Sequence, residues 1–152
     1  MRWWDLDDVA SVEAPSFGTD AWSRESFLSE MSQPGRRYRV LRDTSGGLLG
    51  YVGVSVAGAD AELQTLAVTP GRRGSGLGRR LLGVAVDEAR EAGARRLHLE
   101  VREHDPVAVG LYDSAGFRRH GRRPGYYSPA EPGGERVAAL LMRLTLSSRV
   151  TS

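Results

Sequence analysis

A glycine-rich segment between arginines is the first candidate for binding chemistry in this sequence. Residues 72–80 read RRGSGLGRR and lie between a predicted strand and a predicted amphipathic helix. Glycines let the backbone approach a ligand closely and adopt positive φ. The first turn of a helix offers unpaired N–H groups at the positive end of its dipole. With four arginines in it, this segment predicts a site for an anion such as a pyrophosphate.

The spacing of the glycines separates three phosphate-binding motifs. The dinucleotide fingerprint Gly-x-Gly-x-x-Gly does not fit glycines at 74, 76 and 78, and the Walker loop needs a lysine, which this sequence lacks. The pattern Arg/Gln-x-x-Gly-x-Gly does fit, as Arg73, Gly76 and Gly78. A flexible glycine turn with solvated arginines is the alternative interpretation.

A polar face on one predicted strand is the second candidate. In the strand RLHLEVR, residues 96–102, the apolar side chains share one face, whereas His98 and Glu100 share the other. A central parallel strand is normally apolar on both faces, so a polar face indicates a cleft. Glu100 is therefore a candidate general base. The alternative is a surface carboxylate paired with a neighbouring arginine.

The composition excludes several other kinds of chemistry. Because the sequence has no cysteine, disulfides, cysteine-based metal sites and a thiol nucleophile are all excluded. A net charge of +2 does not favour a dedicated nucleic-acid binder. No run approaches the roughly 18–20 apolar residues of a membrane span, and residues 1–5 do not resemble a signal peptide. We expect a cytoplasmic protein with no metal and no membrane or nucleic-acid partner.

Periodicity and turn signals predict alternating strands and helices. Helices are predicted at residues 5–13 with Asp5 as N-cap, at 22–28 capped by Ser23, from 77 to a stop at 93, and from the Asp105–Pro106 cap to 116. Strands are predicted at residues 38–41, 48–56, 61–68, 96–102 and 137–146. Residues 121–136, rich in Pro and Gly, are predicted to form a long loop. The order indicates a single α/β domain with part of its sheet parallel.

From Leu63 to Phe117, the sequence resembles the core of the GNAT acetyltransferases, whose coenzyme A loop carries the Arg/Gln-x-x-Gly-x-Gly pattern. More narrowly, it is similar to the bacterial ribosomal-protein-alanine N-acetyltransferases, the RimI-like proteins. The narrower resemblance lies in AWS at 21–23, LAVTP at 66–70, LEVR at 99–102, LYDSAGF at 111–117 and RRPGYYSP at 122–129.

The resemblance implies a GNAT fold, with a mixed central sheet flanked by about four helices, and acetyl-coenzyme A as co-substrate. It assigns Glu100 the role of general base, directly or through water. It assigns Tyr112 the role of general acid beside the coenzyme sulfur. Without the resemblance, Tyr112 reads as a core residue, because it shares a helix face with apolar side chains.

The resemblance also implies binding roles. The backbone of Leu66, Ala67 and Val68 is expected to contact the thioester oxygen and the pantetheine arm. Tyr126 and Tyr127 are expected to line the entry for a peptide, with Trp22 opposite; ordinary loop packing is the alternative. The remaining cofactor contacts are expected from Arg73, Gly74, Ser75, Gly76, Leu77, Gly78, Arg79 and Asp105.

Asp105 departs from the family pattern, which usually has asparagine at this position. An ionised aspartate still caps a helix but cannot donate a hydrogen bond. The departure therefore bears on the contact between residue 105 and the coenzyme, and it leaves the predicted fold unchanged.

The sequence thus predicts acetyl transfer to the N-terminal α-amine of a protein by one GNAT domain spanning residues 1–152. The N-terminal alanine of a small-subunit ribosomal protein is one candidate substrate. Without a cysteine, direct transfer in a ternary complex is the simplest route. Two alternatives remain: a GNAT enzyme for lysine side chains or a small amine, and a non-catalytic acyl-coenzyme A-binding or ribosome-docking module. Residues 118–123, rich in arginine, are predicted to be a solvated strand edge and loop that can help to dock a ribosomal protein.

Overall fold

A computed structural model of the chain describes residues 1–147, in which helices and strands follow one another along the sequence. The helices of this part of the chain are α1 (Leu6–Phe17), α2 (Arg24–Met31), α3 (Leu77–Glu91) and α4 (Pro106–Ser114). Its strands are β1 (Arg36–Arg42), β2 (Leu48–Ala57), β3 (Asp60–Val68), β4 (Arg96–Arg102), β5 (Arg118–Tyr127) and β6 (Val137–Thr145).

The strands form one mixed sheet in the order β1-β2-β3-β4-β6-β5. Strands β3 and β4 pair in parallel, and the other neighbours pair antiparallel. A parallel pair needs a crossover connection, which α3 provides between β3 and β4. The sheet is therefore mixed, with helices on both faces, as the resemblance implies.

Two apolar cores lie on the two faces of the sheet. On one face, α3 and α4 pack against side chains such as Val52, Leu97 and Leu99. On the other face, α1 and α2 pack against Tyr51 and Ala67. Since neighbouring residues of a strand point to opposite faces, Val52 and Tyr51 reach different cores. The alternation also places His98, Glu100 and Arg102 on the face that α1 and α2 cover.

Local signals in the sequence account for several helix starts. The Ser23 hydroxyl accepts a hydrogen bond from the N–H of Ser26, and the Asp105 carboxylate accepts one from Ala108, so both predicted N-caps are confirmed. Pro106 opens α4 as predicted. The predicted bounds of β4 are also those of the structure.

Two predictions about the elements need correction. Asp5 occupies the N-cap position of α1 as predicted, but its side chain does not cap the helix: Asp5 ends a 3₁₀ turn over Trp3–Asp5, and its carboxylate accepts the N–H of Arg2. Residues 121–127 are not loop, because they belong to β5, and the loop is confined to 128–136. The strand β5 is an edge strand exposed on nearly every residue, so it shows no apolar alternation and tolerates Pro124 and its glycines.

Candidate active site

The opening between β3 and β4 is the central feature of the site. Their parallel pairing consists of Asp60 with Arg96, Ala61 with Leu97 and Glu62 with His98, after which the two strands diverge within the described chain. Each strand keeps a long antiparallel partner on its other side, β2 for β3 and β6 for β4. A wedge is therefore left between the ends of the two strands.

Leu66 and Val68 direct their backbone polar groups into this wedge. The N–H of Thr69 donates to the carbonyl oxygen of Leu49, so Thr69 and Leu49 form a hydrogen-bonded pair. Hydrogen-bonded pairs alternate with non-hydrogen-bonded pairs along an antiparallel ladder. The backbone N–H and C=O groups of Ala67 therefore also point toward β2, whereas those of Leu66 and Val68 point away from it. Of the three residues expected to contact the coenzyme through their backbone, Leu66 and Val68 have the suitable orientation. The N–H of Ala67 pairs with Tyr51 instead.

A β-bulge at Gln64 gives β3 this arrangement. Gly53 pairs with Thr65 and Val54 pairs with Leu63, so Gln64 is an extra residue opposite the β2 strand. An extra residue shifts the alternation by one position. Leu63 therefore packs into the core beneath α3, and Leu66 still packs against that core three residues later.

The glycine-rich loop has the backbone conformation that the sequence predicts. Gly74 has φ +80° and Gly76 has φ +81°, a region that L side chains rarely adopt. Gly76 is the N-cap of α3, and its carbonyl oxygen accepts the first helical N–H, from Arg80. The N–H groups of Leu77 and Gly78 in the first turn consequently point out of the helix end, where they can donate to an anion.

The polar side chains of the loop mostly bind the protein itself. Arg73 donates to the carbonyl oxygen of Val68 at 3.4 Å and to the hydroxyl of Ser16 at 3.3 Å. Ser75 donates to the carbonyl oxygen of Arg72 at 2.7 Å, and Arg79 donates to Ser114 in α4 at 2.7 Å. Because these side chains hold the loop, the backbone N–H groups are its main donors toward a ligand.

Glu100 lies on the α1/α2 face of β4, beside the wedge. Its carboxylate is 3.4 Å from the guanidinium of Arg123. Glu100 therefore does form the ion pair with a neighbouring arginine that the alternative interpretation expects. The side chain of Glu100 remains 21% exposed, against 56% for Arg123. Partial burial and the nearby charge of Glu100 raise the pKa of Glu62 on β3. Two carboxylates thus face the mouth of the wedge.

Tyr112 lies on α4, in the core on the opposite face of the sheet from Glu100. The ring is 8% exposed and packs edge-on against Phe117 with the ring centroids 5.7 Å apart. Burial, reinforced by the negative charge of Asp105, raises the pKa of the Tyr112 phenol above its ordinary value. The hydroxyl therefore keeps its proton at neutral and moderately alkaline pH. This is the state required of a proton donor.

Tyr127 and Tyr126 are adjacent aromatic residues at the end of β5. Burial raises the pKa of the Tyr127 phenol, and the charge of Glu100 and the proximity of Tyr112 raise it further. Tyr126 stacks edge-on with Tyr127 at 5.0 Å, and the Glu100 carboxylate, as a hydrogen-bond acceptor, raises the pKa of Tyr126. Arg123 contacts both the Tyr126 ring and the Glu100 carboxylate, so the two tyrosines lie next to Glu100.

Trp22 is anchored in the α1/α2 core. Its ring packs against Phe27 with the centroids 5.2 Å apart and stays half-buried. The residue two positions before it, Asp20, is hydrogen-bonded to Ser128 in the loop after β5. Trp22 is thus linked to the segment that carries Tyr126 and Tyr127 through Asp20, a residue that the sequence analysis did not identify.

The family model of the Acetyltransferase (GNAT) family matches residues 3–117, about three quarters of the chain. The chain belongs to this family. It is therefore an acyltransferase, and acetyl-coenzyme A is the acyl donor of the family. Among residues 1–147, no helix is long and apolar enough to cross a membrane, and no three His, Asp or Glu side chains are grouped as metal ligands.

Named relatives extend over most of the chain. N-alpha-acetyltransferase RimI of Mycobacterium tuberculosis is 39% identical over 128 residues, covering 81% of this chain and 78% of that protein. The [ribosomal protein bS18]-alanine N-acetyltransferase of Escherichia coli K12 is 35% identical over 127 residues, covering 83% of this chain and 82% of that protein. The crystal structure of the ribosomal-protein-S18-alanine N-acetyltransferase from Escherichia coli superposes with a TM-score of 0.85 at 29% identity, covering 97% of this chain and 91% of that one.

Proposed function

We propose that this protein transfers the acetyl group of acetyl-coenzyme A to the α-amine of a protein N-terminus. The N-terminal alanine of a ribosomal protein is the candidate substrate. The relatives named for this activity cover most of the chain. We treat the strands after residue 117 as part of the same catalytic unit, because β6 inserts between β4 and β5 in the sheet.

The observation that carries the proposal is the gap that opens in the sheet where β3 and β4 stop pairing. Glu100 lies on the α1/α2 face of β4, and Tyr112 belongs to the core on the α3/α4 face. An acceptor and a donor that enter from opposite sides can therefore react in the gap. A continuous sheet would separate them.

The residues around the wedge fit acetyl-coenzyme A. Leu66 and Val68 offer backbone groups to an amide-containing chain such as the pantetheine arm, and the start of α3 offers N–H groups to the pyrophosphate. Arg80 adds an exposed positive charge beside the loop, whereas Arg72 is paired with Asp43 at 3.3 Å. When bound, acetyl-coenzyme A supplies the activated acetyl group.

The side chains divide the proton transfers between them. A protein N-terminus has a pKa of about 7.7 to 8.0, so near pH 7 much of the acceptor carries an extra proton. Glu100 takes this proton, directly or through water, and frees the amine lone pair. Tyr112, which stays protonated, gives its proton to the departing sulfur. The N–H groups of Leu66 and Val68 are placed to stabilise negative charge on the acyl oxygen.

The aromatic side chains suit one extended chain end as acceptor. Tyr126 is 43% exposed and Tyr127 is half-buried, so this aromatic pair is accessible to an acceptor from solvent. Arg123 lies over the Tyr126 ring, with its guanidinium carbon 5.6 Å from the ring centroid. This contact holds the aromatic pair beside Glu100.

Mass spectrometry of peptides incubated with the enzyme and acetyl-coenzyme A tests the proposal. One set carries a free N-terminal alanine and no lysine. The matched set has the same sequence with a blocked N-terminus and one internal lysine. We expect a mass increase of one acetyl group in the first set, located on the α-amine by fragmentation.

Modification of the blocked lysine peptides in preference to the free α-amines would indicate a lysine acetyltransferase instead. Coenzyme binding with no turnover on either set would indicate a non-catalytic acyl-coenzyme A-binding module. The Glu100→Gln variant serves as the control for adventitious chemical acetylation, because it retains the fold and the coenzyme loop.

A further inference from the structure

A hydrogen-bonded cluster of three residues, distant in sequence, ties together the walls of the proposed acceptor entry. The Asp20 carboxylate, in the turn between α1 and α2, accepts hydrogen bonds from the N–H of Ser128 at 3.1 Å and from its hydroxyl at 2.9 Å. Arg102, at the end of β4, donates to the same carboxylate. Asp20 is 82 residues from Arg102 and 108 residues from Ser128.

Arg102 is shared among three segments. One guanidinium nitrogen bonds Asp20, and another donates to the carbonyl oxygen of Ser128 at 3.0 Å. The guanidinium carbon lies 4.7 Å from the ring centroid of Tyr127, a cation–π contact. The side chains of Arg102 and Asp20 are 26% and 28% exposed, so the pair is partly shielded from water. A planar guanidinium suits this use because its donors are fixed in direction.

The position of the cluster relates it to the reaction. Arg102 lies two residues after Glu100 on β4, so both side chains point to the same face. Trp22 follows Asp20 by two residues, and Tyr127 directly precedes Ser128. The proposed acceptor entry has Trp22 on one side and Tyr127 on the other, and these two residues are called its walls. Through their neighbours Asp20 and Ser128, the cluster ties both walls to β4, the strand that carries Glu100.

We propose that Asp20 and Arg102 are positioning residues that set the width of the acceptor entry and thereby favour peptides whose first residue is small. This inference rests on the proposed function. Neither residue exchanges a proton with the substrate. They act by keeping the two walls close enough to hold an alanine α-amine against Glu100 and to exclude a bulky first side chain.

Kinetics of Asp20→Asn and Arg102→Gln with two peptides test the specificity. The peptides differ only in their first residue, alanine or leucine. Loss of a hydrogen bond to a charged group corresponds to about a tenfold effect or more, so we expect KM for the alanine peptide to rise by about tenfold. The kcat/KM preference for alanine over leucine falls in the same variants, while the Kd of acetyl-coenzyme A is unchanged. Asp20→Glu, which keeps the carboxylate, recovers part of the preference.

The exposed ion pair between Asp7 of α1 and Arg24 of α2 provides a matched control. Its atoms are 3.0 Å apart, it joins the two helices on either side of the turn that carries Asp20, and Asp7 is 86% exposed. Asp7→Asn is expected to leave KM and the peptide preference as in the wild type. A merely structural role for Asp20 would lower thermal stability without changing the alanine-to-leucine ratio, and this result would overturn the inference.

Hydrogen exchange followed by mass spectrometry provides a readout that is independent of turnover. In Asp20→Asn, we expect faster exchange in both residues 18–23 and residues 125–129, with α3 unchanged. Faster exchange in one segment alone would contradict the linkage between the walls. Failure of the wild-type enzyme to acetylate any N-terminus would overturn the proposed function, whereas the exchange result would still decide whether the cluster holds the walls together.

Discussion

The buried carboxyl group of Glu13 predicts an unusual dependence of stability on pH. Glu13 lies on α1 with 2% of its surface exposed, in contact with β3. One carboxyl oxygen accepts a hydrogen bond from Thr65 at 3.2 Å, and the other has no hydrogen-bond partner among the described residues. Burial raises the pKa of Glu13 to about 7, although the hydrogen bond from Thr65 opposes the change.

The size of the effect follows from the difference between the folded and unfolded states. In the unfolded chain, the pKa of this carboxyl group returns to its ordinary value of 4.5. Between about pH 4.5 and pH 7, the folded protein holds a proton that the unfolded chain has released, so stability decreases as pH rises. The slope is about 1.4 kcal/mol per pH unit, and the total loss by pH 7 is about 3 kcal/mol.

Replacing Glu13 with glutamine removes this dependence. The amide has the shape of the protonated acid, so its oxygen accepts from Thr65 and its NH₂ group can donate to the unpartnered hydroxyl of Tyr51. Glu13→Gln is therefore expected to resemble the wild type near pH 5. At pH 8, it is expected to be more stable than the wild type by about 2 to 3 kcal/mol.

Urea unfolding followed by tryptophan fluorescence at four pH values from 5 to 8 measures this difference. Trp22 packs in the same core as Glu13 and reports on its loss. Glu91→Gln, at an exposed position on α3, controls for the loss of one carboxylate. Free energies of unfolding that change in parallel with pH for the wild type and Glu13→Gln would refute the reasoning. They would show that Glu13 ionises alike in the folded and unfolded states.

Three further predictions concern the proposed chemistry. Gly76→Val forces a β-branched residue into φ +81°, and we expect calorimetry to show acetyl-coenzyme A binding weakened by about tenfold or more, with Gly83→Ala within α3 unchanged. Glu100→Gln is expected to lower kcat/KM by about 10² to 10⁴ at pH 7 and to recover toward pH 9.5, because the acceptor amine then loses its proton unaided; full activity at pH 7 would eliminate Glu100 as the base. Tyr112→Phe is expected to show a smaller loss at pH 7, which higher pH does not relieve; full recovery at high pH would contradict its assignment as the acid.

Local signals account for the parts of the fold that the sequence predicts well. The Asp105–Pro106 pair specifies the start of α4 because one side chain caps the helix and the other fixes φ. The alternation of residues 96–102 places Glu100 on the polar face without knowledge of the rest of the chain. Gly76 is similarly predictable, because the loop before α3 needs a residue that tolerates positive φ.

The sequence carries no comparable local signal for the full length of β5 or for the role of Asp5, so neither is predicted correctly. Strand β5 has an exposed, arginine-rich sequence because it lies at the edge of the sheet, where one partner, β6, is enough to hold it. Its exposure was predicted, but its length as a strand depends on pairing with a segment that comes later in the sequence. The role of Asp5 was mistaken because a 3₁₀ turn precedes α1 and uses the carboxylate first.

Long-range polar contacts are the part of the site that sequence patterns could not supply. The hydrogen bond from Thr65 to Glu13 spans 52 residues, and that from Ser128 to Asp20 spans 108. Neither carboxylate lies in a motif, so each resembles an ordinary helix or turn residue. Arg102 is different, since the alternation that identified Glu100 also places Arg102 on the same face, and this signal was present in the sequence.

In the proposed reaction, the divergence of β3 and β4 is what allows residues on both faces of the sheet to take part. In the part of the chain that the structure describes, only three residue pairs join β3 and β4, whereas each strand pairs with its antiparallel neighbour along nearly its full length. These outer ladders hold β3 and β4 in the sheet although the two strands diverge from each other. The inner edges are left with backbone groups, including the N–H groups of Leu66 and Val68, that need hydrogen-bond partners. A ligand with amide groups can provide those partners while its reactive end lies in the gap. If the pairing continued to the strand ends, these groups would be satisfied within the sheet, and Glu100 and Tyr112 would lie on opposite sides of a closed wall.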